Sequence, residues 1–392
     1  METSGSKVSR LLLIASRVSA KNYFERSAAA TLLVLAMFLS MSAHATYIQT
    51  NLVSDGSVSA TFTDPTLINP WGLTTSATSP FWVADNGNGT APIYNGSGSK
   101  QALVVTIPPP VGGQPLPTGE IYNSSASFNS DLFIFATENG TIAGWRSALG
   151  TTAEILVDNS SYGANYKGLA VSTIGVYTYL YAANFYSGQI DVIPGSGAPA
   201  LVGNFTDPNL PSGYAPFNIQ NIGGKLYVTY ALQDATKQDD VAGAGNGIVD
   251  VFNTDGTLVK RLITAGNLNS PWGLALAPSD FGAFSDALLV GNSGDGIINA
   301  YNVATGNLLG SLVDSLNNPI TIDGLWALDF GNGGNGGLTN ELFFTAGPNN
   351  GTNGLFGKIT SNSPTGPVPE PGTLWLSGLG LAGLGFSRCK KA

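Results

Sequence analysis

The chain has 392 residues, with 16 Lys and Arg against 25 Asp and Glu and a formal net charge of −9. Residues 46–367 hold 8 of those basic residues and 22 of the acidic ones, a surplus of 14 negative charges that repels polyphosphates and argues against nucleic acid as a partner. The one His, His44, and the one Cys, Cys389, fall in the terminal segments, so the body between them has no Ser-His-Asp or Cys-His nucleophile system, no His or Cys zinc site and no disulfide.

Residues 1–45 read as a signal peptide. Lys7, Arg10, Arg17, Lys21 and Arg26 form a basic front, an apolar run follows over 28–41, and Ala43 and Ala45 supply the small-x-small pattern that signal peptidase cuts. Cleavage after Ala45 starts the mature protein at Thr46. An N-terminal anchor is the alternative, against which the apolar run is short for a span of about 20 residues. The long basic front also leaves the true translation start open.

The body repeats. A Gly followed five residues later by an aromatic or Ile recurs at Gly89/Tyr94, Gly140/Trp145, Gly188/Ile193, Gly247/Phe252, Gly296/Tyr301 and Gly354/Ile359, with gaps of 51, 48, 59, 49 and 58 residues. Each is preceded by a tripeptide with a small third residue: Pro70-Trp71-Gly72, Pro117-Thr118-Gly119, Tyr166-Lys167-Gly168, Pro216-Phe217-Asn218, Pro271-Trp272-Gly273 and Leu325-Trp326-Ala327. Two markers in one register at about 50 residues indicate stacked supersecondary units. Between the markers lie short β-branched or aromatic runs, at 81–84, 132–136, 179–183, 226–230, 287–290 and 342–345. After the first five glycines come further runs at 102–107, 154–157, 200–205, 258–263 and 308–313. Four strands per unit is the count of a propeller blade.

The sixth unit lacks its last strand, and an unpaired strand stands at 47–54. The expected fold is therefore all-β: a six-bladed β-propeller with four strands per blade, closed by residues 47–54 as the outer strand of blade six, which removes an exposed sheet edge. The Asn-Gly and Asp-Gly pairs at Gly89, Gly140, Gly247, Gly296 and Gly354 suit tight turns that need positive φ. The small third residue of each tripeptide suits close approach at the axis. The expected organisation is a signal peptide over 1–45, the propeller over 46–361, a linker over 362–367 and a sorting segment over 368–392.

Pro369-Glu370-Pro371, an apolar glycine-laced run over 373–386 and the basic end Arg388, Lys390 and Lys391 occur in that order. This resembles the PEP-CTERM sorting signal of Gram-negative bacteria. The resemblance implies a transient membrane anchor, recognition and cleavage by an exosortase-type membrane protease, and delivery to the cell surface or beyond. The basic cluster fits the positive-inside bias; a permanent C-terminal anchor is the alternative. Further stretches, among them residues 50–56, Asn69-Pro70-Trp71-Gly72-Leu73, 226–231, 243–247, 270–275 and 343–347, resemble a family of bacterial exported β-propeller proteins that carries such tails. That resemblance implies the fold and no activity. Propellers of the NHL or lactonase type are an analogy of fold only.

In a four-stranded blade the b–c loops and the d–a links share one face. Asp85, Asp239, Asp240 and Asp295 fall there and are the candidate ligands of a Ca²⁺ site, since this hard cation takes carboxylate and carbonyl oxygens; the other reading is that Asp, Asn and Gly serve as turn formers. Trp71, Trp272 and Trp326, with Tyr214 on a link, are the candidate platform for a glycan, an extracellular polysaccharide being the partner considered, against blade packing as the plain alternative. A metal-dependent hydrolase or lactonase-like enzyme using the axial opening is the alternative function. The preferred expectation is a non-catalytic exported protein that binds a ligand or surface, with calcium as the cofactor considered.

Overall fold

The structure, a computed structural model, describes residues 46–111 and 113–362. The expected signal peptide, with Ala43 and Ala45, and the expected sorting segment, with Pro369, Glu370, Pro371, Arg388, Lys390 and Lys391, lie outside the described residues.

The repeats fold as six antiparallel sheets. Their innermost strands are Pro70–Thr74, Pro117–Tyr122, Tyr166–Ile174, Tyr214–Ile222, Pro271–Leu276 and Leu325–Phe330. Each packs against the next, and the sixth packs against the first, so they form a closed ring around an axis. The fold is the expected six-bladed propeller on a plan of four strands per blade.

The tripeptide markers have a common mechanical meaning. In every blade the pairing of the innermost strand with its neighbour slips at the marker: between Pro70 and Leu73, Pro117 and Glu120, Tyr166 and Gly168, Pro216 and Asn218, Pro271 and Gly273, and Leu325 and Leu328. Each marker is a β-bulge, which bends the strand where the blades crowd together. Pro fits the start of such a strand because no ladder donor is needed there. The small third residue is a packing requirement. A Cβ on Gly72 would lie 2.3 Å from the Thr118 carbonyl oxygen, and one on Gly119 would lie 2.4 Å from the Leu169 nitrogen, both on the next blade's backbone. Side chains staple the same level: Thr118 donates to the Tyr166 carbonyl at 2.6 Å, Asn218 to the Trp272 carbonyl at 2.8 Å and Thr345 to the Trp71 carbonyl at 2.5 Å.

Closure follows the expected scheme. Tyr47–Ser54 pairs antiparallel with Leu355–Ser361, from Tyr47 opposite Ser361 to Ser54 opposite Leu355, and completes the sheet that begins with Leu325–Phe330 and Glu341–Ala346. A two-residue strand, Phe62–Thr63, adds in parallel outside it. Tyr47 locks the seam. Its ring is 1 % exposed, stacks on Phe284 at 5.9 Å and lies 5.0 Å from Phe281, and its hydroxyl donates to the Phe281 carbonyl at 3.1 Å.

Two details depart from expectation. Blade three carries three ladder strands; residues 200–205 instead lie along the c–d turn of blade four, where the Gly203 and Phe205 amides donate to the Asp255 and Gly256 carbonyls. Phe205 draws the segment there by packing its ring on Tyr181 and Phe252, both at 5.4 Å. The turn glycines also divide. Gly89 and Gly140 have φ of 66° and 79°, as tight turns require, whereas Gly247 and Gly354 are not among the positive-φ residues. At Gly354 the reason is room: a Cβ would sit 2.0 Å from the Leu67 carbonyl oxygen.

Removing the Tyr47 ring should therefore open the seam. Tyr47→Ala is expected to cost about 3–5 kcal/mol in urea unfolding, while its neighbour Ile48→Ala, 49 % exposed, should stay within about 0.5 kcal/mol. Equal effects from the two would contradict this closure.

Candidate functional site

The second residues of the six markers, Trp71, Thr118, Lys167, Phe217, Trp272 and Trp326, make the first ring along the axis. Trp71 and Trp326 stack at 3.6 Å, and Trp272 stands edge-on to both, at 6.3 and 6.0 Å. Phe217 meets Trp326 at 6.1 Å, and the Trp272 indole donates across the axis to the Lys167 carbonyl at 3.0 Å. Side chains from five blades thus fill the axis on the side of the b–c loops.

Lys167 is buried in this plug at 1 % exposure, with its ammonium 5.2 Å from the centre of the Trp71 ring. Such a charge survives burial only when paired. It pairs with Glu138 from blade two and with Asp239 at 3.3 Å from the long loop of blade four. Asn86 donates to the other Glu138 oxygen at 3.0 Å.

The residues singled out from sequence are therefore distributed among different tasks. Trp71 and Trp272 are buried and spend their faces on one another and on Trp326. Tyr214 packs in a separate cluster between blades three and four. Asp85 is fully buried and accepts from the Ile68 amide at 2.8 Å; burial pushes its carboxyl up to about 7. Asp239 pairs with Lys167. Asp240 is pushed up by burial. Asp295 accepts from the Ile297 amide at 3.0 Å and the Asn269 amide at 3.2 Å. Among the described residues no three acidic, His or Cys side chains gather as a metal-holding group. Asp85 and Asp295 serve separate local networks, while Asp239 and Asp240 adjoin Lys167.

Past the ring of small residues the axis opens again, toward the a–b hairpins, into a cavity of about 240 Å³. Its walls come from the fourth marker position and beyond: Leu73, Leu169, Ile219, Leu274 and Leu328, with Asp329 further along blade six. Blade two breaks the series with Glu120. Glu120 is 7 % exposed, and neither of its carboxyl oxygens has a hydrogen-bond partner. Burial holds its carboxyl well above the ordinary range, and burial likewise pushes Asp329 up to about 7. No Lys or Arg lines the cavity. Sequence reasoning missed this site because it grouped residues by loop. The signal was present in the aligned repeats, where one Glu stands at a position that is Leu or Ile in the other five.

An acid whose pKa is raised by folding binds more protons in the native than in the unfolded state, so stability falls as pH climbs from the unfolded value to the folded one. For Asp329 that window runs from 3.8 to about 7; for Glu120 it begins at 4.5 and extends well above. Glu120→Gln should fold normally, flatten the decline above pH 5, and exceed the wild type in stability at pH 8, as read from urea midpoints. A wild-type stability that rises across that range would contradict a buried neutral Glu120.

Comparison with known proteins adds three findings. The family profile of the PEP-CTERM protein-sorting motif matches residues 367–391. A glucose dehydrogenase crystal structure superposes with a TM-score of 0.50 over 79 % of this chain and 99 % of its own, at 12 % identity, which is a likeness of fold alone. Two uncharacterised proteins of Acanthamoeba polyphaga mimivirus are similar in sequence: R648, 34 % identical over 74 % of this chain and 74 % of its own, and L690, 30 % identical over 82 % and 87 %. At that identity and coverage, the chain belongs to the protein family that includes R648 and L690 of that virus.

Proposed function

We propose that the protein is exported, cut from its tail by an exosortase-type membrane protease, and displayed at the cell surface or in the extracellular matrix as a non-catalytic binding disc whose ligand site is the axial cavity. The observation that carries the binding site is the asymmetry of the axis: tryptophans fill it toward the b–c loops, and a cavity of about 240 Å³ opens toward the a–b hairpins. Concave, largely aliphatic sites with a few polar groups are the usual form of a small-molecule site.

The route of export is supported by the tail and by where the disc ends. The Asn362 amide donates to the Thr46 carbonyl at 2.7 Å, so the chain leaves the disc beside the first residue of the expected mature protein. Pro369 follows seven residues later, at most about 25 Å of extended chain. Among the described residues no helix is long and apolar enough to cross a membrane; the apolar run of the tail lies outside them.

Replacing Pro369, Glu370 and Pro371 together by Ala should leave the tail uncut and hold the protein in the membrane fraction of its native host, while the wild type loses it. Intact-mass measurement reads the difference, and identical masses would overturn the processing step. Fragment soaking of crystals tests the site: ligands are expected among Leu73, Leu274 and Asp329, and occupancy confined to the b–c face would overturn the axial reading.

A further inference from the structure

Resting on the axial cavity as the ligand site, we infer that its ligand is a small organic cation: a primary ammonium on a short aliphatic body, paired with Glu120 and Asp329.

The repeat contains its own control. Six positions are equivalent at the fourth place of the marker, and five of them carry Leu or Ile. The fold alone is thus satisfied by an aliphatic side chain there. Glu120 occupies the sixth position at a cost, because a buried polar group without a partner loses the hydrogen bonds that water gave it in the unfolded chain. A structural role would reveal itself as a bond to a neighbouring blade, as with Thr118 and Asn218 one level away. Glu120 has none. What adjoins it is the cavity.

The chemistry of the lining selects the ligand. Two acidic side chains and no basic one line the cavity, and the surrounding body carries its surplus of 14 negative charges, so the potential favours a cation. The one buried ammonium of the axis, Lys167, belongs to the tryptophan plug and is already paired. A bare metal ion fits poorly. The volume leaves room for several water molecules beside an ion, and aliphatic side chains from five blades share the wall with polar ones. An ammonium supplies three donors for carboxyl oxygens that have no other partner. Its aliphatic body would lie against Leu73, Leu169, Ile219, Leu274 and Leu328.

Binding must then expel a proton. In the free protein burial disfavours the charged form of Glu120 and holds its carboxyl well above the ordinary range. An ammonium in the cavity favours the carboxylate, so the proton passes from Glu120 to the buffer as the ion pair forms. A neutral ligand of the same shape leaves that proton in place.

Titration calorimetry of the processed protein with 1,4-diaminobutane and with 1,4-butanediol, at pH 6, 7 and 8 and in buffers of different ionisation enthalpy, separates these cases. The diamine is expected to bind and the diol not. Affinity should rise with pH as the two acids release protons on pairing, and the buffer dependence should count those protons. Glu120→Gln, a neutral isostere whose folding is checked by its melting curve, should weaken binding at least tenfold and leave only the pH dependence that Asp329 contributes; Asp329→Asn should weaken binding without abolishing it. Equal binding of the diol, an unchanged Glu120→Gln, or binding of neither compound would overturn the cation assignment. Soaked neutral or anionic fragments seated in the cavity would still uphold the axial site, and their absence from it would remove that reading as well.

Discussion

The rest of the structure depends on one pairing, that of Tyr47–Ser54 with Leu355–Ser361. Six twisted sheets around an axis do not hold their spacing without closure; each is fixed only by its neighbours. Joining the first strand to the last sheet turns a row of blades into a ring whose innermost strands are pressed together, so closely that no Cβ fits at Gly72 or Gly119. The seam is made of ordinary forces: a ladder of backbone hydrogen bonds, and a buried tyrosine between the fifth and sixth blades. The pairing is non-local, with 300 residues between its strands, so its formation carries a large loop-closure cost in folding.

The closed ring creates an axis with two unlike ends. Toward the b–c loops the second marker residues are large, and Trp71, Trp272 and Trp326 meet across the centre with Lys167 neutralised among Glu138 and Asp239. One step along, the small residues bring the backbones together. Beyond them the aliphatic fourth residues leave room, and Glu120 and Asp329 line that room. The same six-fold repetition of a bulged strand therefore supplies a plug, a waist and a cavity. Departures from the repeat carry the chemical character: a Lys in the tryptophan ring and a Glu in the leucine ring.

Much of this was legible in the sequence. Two markers in one register were enough for the blade count, the strand order and the closure, because a backbone bulge and a tight turn each demand a particular residue at a fixed spacing. Residues 200–205 misled, since their apolar content reads as a strand and only the Phe205 contacts with Tyr181 and Phe252 decide that the segment crosses to blade four. The candidate site was less legible. Asp85 and Asp295 look like ligands in the sequence, yet Asp85 accepts from the Ile68 amide, 17 residues back, and Asp295 from the Ile297 amide, two residues on. Trp71 and Trp272 look like exposed platforms, yet they are the packing of the axis itself. Orientation across a ring is set by all six blades together, and no single stretch of sequence records it.

The absence of Cys from residues 46–362 allows closure to be measured directly. Thr46 and Asn362 stand opposite each other at the end of the seam, where paired Cα atoms lie about 4.5–5.5 Å apart, within reach of a disulfide. Thr46→Cys with Asn362→Cys, in protein lacking the tail, should oxidise within one molecule under native conditions, giving a faster-migrating species on a non-reducing gel that vanishes on reduction. Two free thiols in the folded protein, or cross-linking only between molecules, would contradict the closed ring on which the axis and its cavity depend.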